Sequence, residues 1–242
     1  EVNLKVVEIR HSQGWVDEVF SDIDKLMKRV KVAKKNKEIV SLAYHGNIIT
    51  IWKEFYKNNI FIDIGSDQTS LHNPWSGGYY PEGIDFENAN EMISNNPSLF
   101  KLKVKESLLL HAEFINKHCE KGTYFFDYGN AFLLETSKAG GDVFSDDGVN
   151  FKFPSYVQDI MGPMCFDYGF GPFRWVCASN KQEDLEITDK IACEVLEKLM
   201  INSPEEIKVQ MQDNIDWIKA AKSNSLVVGS KARILYADSL GR

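Results

Sequence analysis

Along its first two thirds this chain alternates short apolar runs with stretches of helical periodicity, and that alternation forces parallel strands joined by crossover helices. It predicts a strand at Asn3 to Val7, a helix at Asp22 to Lys35, a strand at Ile39 to Tyr44, a helix at Ile49 to Lys57 and a strand at Ile60 to Ile64. Asp85 is placed to cap a helix carrying Met92 and Ile93. Pro97 opens a long helix through Glu120, with Leu99, Leu102, Ser107, Leu110 and Phe114 close to one face. Thr123 to Asp127 reads as another strand, followed by a helix to Ala139. Gly140 to Asn150 reads as a linker or a surface turn. Beyond it the alternation weakens to helices at Gln182 to Met200 and Pro204 to Lys222, with short apolar strands around Gly229.

The strand expected at Ile60 to Ile64 stops at the loop SDQTSLHNPWSGGYYP. In an open α/β sheet, ligands bind outside the carboxyl ends of the strands, which is where this loop would sit. Gln68, Thr69, Ser70 and His72 all carry hydrogen-bonding groups, and Gly77 and Gly78 let the backbone approach a ligand before Tyr79 and Tyr80. A polar surface loop has the same composition, so composition leaves both readings open.

With 242 residues, 43% of them hydrophobic, the chain can bury a sizeable core. A net charge of -7 argues against a nucleic-acid or anionic-membrane binder, both of which need clustered cations. The basic run from Lys25 to Lys37 has helical spacing and reads as a solvated helix face. Cys119, Cys165, Cys177 and Cys193 form no CxxC pair, so neither a metal site nor a disulfide framework is signalled, and a reducing cytoplasm is the simplest fit. No apolar segment approaches the ~18 residues of a membrane span. Both ends of the chain read as cut: Glu1 starts inside a strand-like pattern, and the chain stops soon after the apolar run Ala232 to Ala237.

Three further segments set small residues and polar groups at element ends: His45-Gly46-Asn47, Phe126-Asp127-Tyr128-Gly129-Asn130, and Gly169-Phe170-Gly171-Pro172-Phe173-Arg174-Trp175. Together with the DQTS loop, PSYVQDIMG at Pro154 to Gly162 and ARILYAD at Ala232 to Asp238, they resemble the urocanase family in order and spacing over essentially the whole chain. The HGN, GGYYP and YGNAFLLE forms are closer to the eukaryotic branch.

The resemblance implies an α/β fold: a Rossmann-like parallel sheet with crossover helices over residues 1–153, followed by part of a second α/β core domain over 154–242. It implies a cytoplasmic, homodimeric lyase of histidine breakdown, urocanate hydratase, which adds water to urocanate to give imidazolone propionate. NAD+ is held tightly as an electrophile, with no net hydride transfer. The family's cofactor contacts fall on Glu1, Asn47, Ile48, Gln68, Thr69, Ser70, Leu71, His72, Tyr79, Tyr80 and Tyr128. Glu1 also fits by itself, as the acid at a strand end that dinucleotide-binding folds use on ribose hydroxyls, although composition alone favours an exposed terminal acid. Arg174 of GPFRW is the expected catalytic residue, its planar guanidinium suiting the urocanate carboxylate; a structural salt bridge is its plain alternative. His45 reads as a hydrogen-bonding group, and His11, His111 and His118 as structural or solvated.

The chain also departs from the family. Val6 stands where an arginine follows the ribose acid, Leu235 stands where bacterial members carry a cysteine, and no Gly-rich phosphate turn occurs. The chain therefore reads as the middle of an enzyme, inactive alone, with an NAD-dependent dehydrogenase and an inert NAD-binding module as competing readings.

Overall fold

A computed structural model of the protein describes residues 1–67, 73–129, 131–169, 171–179, 181–224 and 232–237, with 168, 172–176, 222–224 and 232–237 described by their backbone alone. Two compact units result, Glu1–Gln158 and Asp159–Arg242.

The first unit opens on a helix, α1 (Leu4–Ser12), where the sequence predicts a strand. The alternation of Leu4, Lys5 and Val6 suggests period two, but the Asn3 side chain accepts the Lys5 N–H at 3.1 Å and caps a helical turn. No breaker follows before Gly14, so the helix runs on. Strand β1 (Glu18–Phe20), too short to stand out in the sequence, pairs in parallel with β2 (Leu42–Tyr44) across α2 (Ile23–Asn36). Asp22 caps α2 by accepting the Asp24 and Lys25 N–H groups. The basic face of α2 is largely solvated as expected, and Arg29 reaches from it to Glu18 and Glu38, each at 2.7 Å.

Helix α3 (Ile48–Lys57) leads to β3 (Ile64–Asp67) rather than to a strand at Ile60 to Ile64. The Ile60 N–H closes the end of α3 on the Phe55 carbonyl, and its side chain packs beside Leu26 and Met27. Pairing therefore begins later, at Ile64↔Tyr124, and continues through Ser66↔Phe126 to Asp67↔Asp127 on the parallel strand β4 (Tyr124–Asp127). Between these strands lie α4 (Phe86–Asn95), capped by Asp85 as predicted, and α5 (Pro97–Cys119). Helix α5 buries Phe100, Val104, Ser107, Leu108, His111, Ala112, Ile115 and His118. Leu99 and Leu102, expected on that face, are exposed. The helix is apolar over most of its circumference, so periodicity alone could not choose among its faces; packing against α3, α4 and α6 (Phe132–Ala139) does.

The segment Gly140 to Asn150 is a turn within this unit rather than a linker. Its Gly141 N–H bonds the Thr136 carbonyl, Val143 is fully buried, and Phe144 bridges to Phe151.

A π-helical turn, Tyr156–Met161, leads into the second unit. There the single turn α7 (Gly162–Met164) precedes β5 (Gly171–Val176), α8 (Gln182–Met200), α9 (Glu205–Asn224) and β6 (Ala232–Ala237). Strands β5 and β6 are antiparallel, with Arg174 opposite Ile234. Helices α8 and α9 enclose Leu196, Met211, Ile215 and Ile218. Of the strands expected around Gly229, the later one is β6; the earlier lies outside the described residues. Among the described residues no helix is long and apolar enough to cross a membrane.

Candidate functional site

A cleft of about 610 Å³ lies at the carboxyl ends of β2 and β3. Its volume falls within the ~300–1,000 Å³ usual for cofactor and small-molecule sites. Glu1, Asn47, Ile48, Tyr79 and Tyr80 all line it, so five sequence-predicted contacts from three separate segments of the chain come together.

Glu1 sits beside β2. Its nitrogen lies 3.1 Å from the Tyr44 carbonyl, and its own carbonyl accepts the Gly46 N–H at 2.9 Å. The intervening His45 N–H turns the other way, to the Phe20 carbonyl of β1. These bonds tie the chain start beside the carboxyl end of β2, which pairs with β1 in a two-stranded sheet. The Glu1 carboxylate accepts the Asn3 N–H at 2.9 Å, which links the acid to the start of α1.

Asn47 is doubly committed. Its side-chain oxygen accepts the Ile49 N–H at 3.0 Å, capping α3, while its amide nitrogen donates to the Tyr80 carbonyl at 2.9 Å. What Asn47 and Ile48 can offer a ligand is therefore the backbone N–H set of the helix start, a natural partner for phosphate oxygens. On the opposite wall, Gly77 takes φ 96° after the turn Pro74–Ser76, a conformation other residues adopt at a cost. It brings Gly78, Tyr79 and Tyr80 to the cleft.

The two tyrosines divide their work. Tyr80 donates its hydroxyl to Asn90 at 2.9 Å, and its ring lies 5.2 Å from that of Phe86, another lining residue. Tyr79 is buried, its hydroxyl 3.1 Å from His111 Nδ1. Burial holds the Tyr79 phenol well above the ordinary tyrosine range and pushes the His111 ring down to about 3, so both are neutral at physiological pH.

The floor carries Ser66 and Asp67 from β3. The carboxyl of Asp127 is raised by desolvation, against the lowering effect of the Gly129 and Tyr128 N–H groups. Its Oδ1 has no hydrogen-bond partner among the described residues. Tyr128 stacks on Tyr156, centroids 5.2 Å apart at 9°, and does not line the cleft.

Gln68, Thr69, Ser70, Leu71 and His72 lie outside the described residues. Arg174 is placed on β5 by its backbone only, and its side chain lies outside the described part. His45 bonds Ser21 through its ring at 3.2 Å. Sequence reasoning did not single out Asp67 or Phe86. Asp67 was legible as the last residue before the polar run, whereas Phe86 sits in a helical pattern that carries no ligand signal; His111, read as structural or solvated, is buried in α5.

An acid beside a parallel strand end, helix-start amides and a glycine-bordered wall suit the ribose hydroxyls and phosphate oxygens of a nucleotide, and Val6 makes one corner apolar. The fold and cleft thus define a Rossmann-like domain, the class that carries nucleotide cofactors. Two family models make the assignment specific: the Urocanase Rossmann-like domain over residues 1–160 and the Urocanase C-terminal domain over residues 163–242. The chain belongs to the urocanase family.

It is 47% identical over 251 residues to the urocanate hydratase of Mus musculus, covering 100% of this chain and 37% of that protein. It is 46% identical over 250 residues to the urocanate hydratase of Homo sapiens, again covering 100% of this chain and 37% of the relative. To the probable urocanate hydratase of Dictyostelium discoideum it is 49% identical over 247 residues, with 100% and 36% covered. The chain spans little more than a third of the length of these curated relatives.

Proposed function

We propose that this chain is the central part of a urocanate hydratase, a cytoplasmic homodimer that adds water to urocanate to give imidazolone propionate. The observation that carries the reading is the cleft gathering Glu1, Asn47, Ile48, Tyr79 and Tyr80 at the strand ends, the positions the family resemblance marks for NAD. Four free cysteines accord with a reducing compartment.

In this reading Glu1 accepts from a ribose hydroxyl, the N–H groups at the start of α3 hold phosphate oxygens, and the wall from Gly77 to Tyr80 excludes water. NAD+ would supply an electron-poor nicotinamide ring toward which the electron-rich imidazole of urocanate is polarised. Gln68 to His72 complete the cofactor contacts, while Tyr128, stacked on Tyr156, stands off the cleft. Arg174 holds the substrate carboxylate through its planar fork, orienting the conjugated chain.

The test is the ultraviolet spectrum of the full-length protein with urocanate. Loss of the substrate band without NADH absorbance is the expected outcome. Growth of an NADH band would instead favour a dehydrogenase, and an unchanged spectrum an inert NAD-binding module.

A further inference from the structure

His111 stands at the middle of α5, fully buried, with its ring 4.8 Å from that of Phe132 and 6.5 Å from that of Trp52. An aliphatic side chain would fill such a place without the cost of burying two ring nitrogens, so what the imidazole adds is the bond it makes. Among the described residues its hydrogen-bond partner is the Tyr79 hydroxyl, at 3.1 Å from Nδ1; Nε2 has none, and the Asp67 carboxylate lies 3.9 Å from Nδ1. Tyr79 and Asp67 both line the cleft.

One turn earlier on the same helix, Ser107 accepts the Glu82 N–H through its hydroxyl at 2.9 Å. From α3, Asn47 donates to the Tyr80 carbonyl. The wall from Tyr79 to Glu82 is therefore tied at three successive points to two helices of the core. Only one of these ties, His111 to Tyr79, joins two side chains inside the apolar core, where a hydrogen bond is least exposed to competition from water.

We propose that His111 is a positioning residue for the cofactor cleft, holding Tyr79 by its hydroxyl and so setting the wall of the nucleotide site without touching the nucleotide. The proposal rests on the reading of the cleft as an NAD site. Because His111 acts through Tyr79, removing either partner removes the same bond, and the two losses are not additive.

The experiment uses the full-length protein and NAD+ as probe, with the dissociation constant and the melting temperature measured for wild type, His111→Leu, Tyr79→Phe, the double variant and His111→Asn. His111→Leu and Tyr79→Phe are each expected to weaken NAD+ binding by roughly fivefold, the scale of one hydrogen bond. The double variant is expected to weaken it no further, and His111→Asn, whose amide reaches the place of Nδ1, to restore most of the affinity. Additive losses, no rescue by Asn, or a fall in melting temperature with unchanged affinity would each overturn the proposal. Asn47→Asp separates the two claims: if it abolishes NAD+ binding while the His111 series changes nothing, the cleft reading survives and His111 is merely structural. If the wild-type protein binds no NAD+, both ideas fall together.

Discussion

Asp67 and Asp127 are register partners at the last position of adjacent parallel strands, and both are buried, at 3% and 6% exposure. Desolvation of the Asp127 carboxyl makes the end of β4 costly to fold in its ionised form.

Burial raises the Asp127 pKa above that of an exposed carboxyl. The folded chain therefore takes up this proton before the unfolded chain does, so the ionised group is a burden at neutral pH that is relieved as pH falls through its raised folded pKa. Asp127→Asn keeps an oxygen for the Tyr128 and Gly129 N–H groups and removes the charge. A melting temperature a few degrees above wild type at neutral pH is expected, with the gain vanishing in acid. A variant less stable than wild type at neutral pH would mean that the carboxylate is held by more than it loses on desolvation.

His111 works in the opposite direction. Its folded pKa of about 3 lies below the ~6.5 of a free ring. As pH drops below the unfolded value, the unfolded chain takes a proton that the folded chain refuses, so stability is complete above that window and is lost through it. The limiting slope is about 1.4 kcal/mol per pH unit for one proton. His118 is depressed by burial as well and adds to the trend. In urea titrations across this range, His111→Asn is expected to flatten the fall in stability; an unchanged slope would show that the ring titrates freely in the folded state.

Asn47 offers a way to separate fold from site. Asn47→Ala loses both the cap and the tie to Tyr80, and is expected to destabilise by about 1–3 kcal/mol. Asn47→Asp keeps the capping oxygen, loses the same tie to Tyr80 and adds a negative charge where phosphate is expected, so cofactor retention should fall further than in Asn47→Ala while the melting temperature falls less. Equal NAD content in Asn47→Asp and wild type would place the phosphates elsewhere.

Gly65 on β3 sits under the Trp52 ring, and a Cβ there would come within 2.5 Å of Trp52 Cη2. Trp52 is itself packed by His118 and Phe125 and has nowhere to go. Gly65→Ala is expected to cost about 1–3 kcal/mol through overpacking. Chemical denaturation measures this directly, and a neutral result would show that β3 shifts without cost.

Arg174→Lys in the full-length enzyme keeps the charge and loses the planar fork. A rise in KM is expected if the arginine holds substrate and transition state alike, and a fall in kcat if it acts on the transition state alone, with NAD content unchanged in both cases. Unaltered kinetics, or activity lost only together with folding, would favour a structural salt bridge.

The sequence by itself determined most of the alternation of elements after α1 and where those later helices begin. Asp22, Asp85 and Pro97 start helices where the sequence places them, because a helix start needs only residues two or three positions away. It also determined the family, since DQTS, GPFRW and their order are local strings. The stretch after Asn3 is a helix because the Asn3 side chain caps it at the Lys5 N–H, a local signal that the strand-like alternation hid. The tertiary structure decided what depends on distant partners. The pairing of β3 moved toward Asp67 because Ile60 was taken up by the end of α3 and the packing of α2. The buried face of α5 was chosen by three other helices. His111 illustrates the same limit: on a helical wheel it is one more polar interruption, and only folding brings it 3.1 Å from Tyr79, a residue 32 positions earlier in the chain.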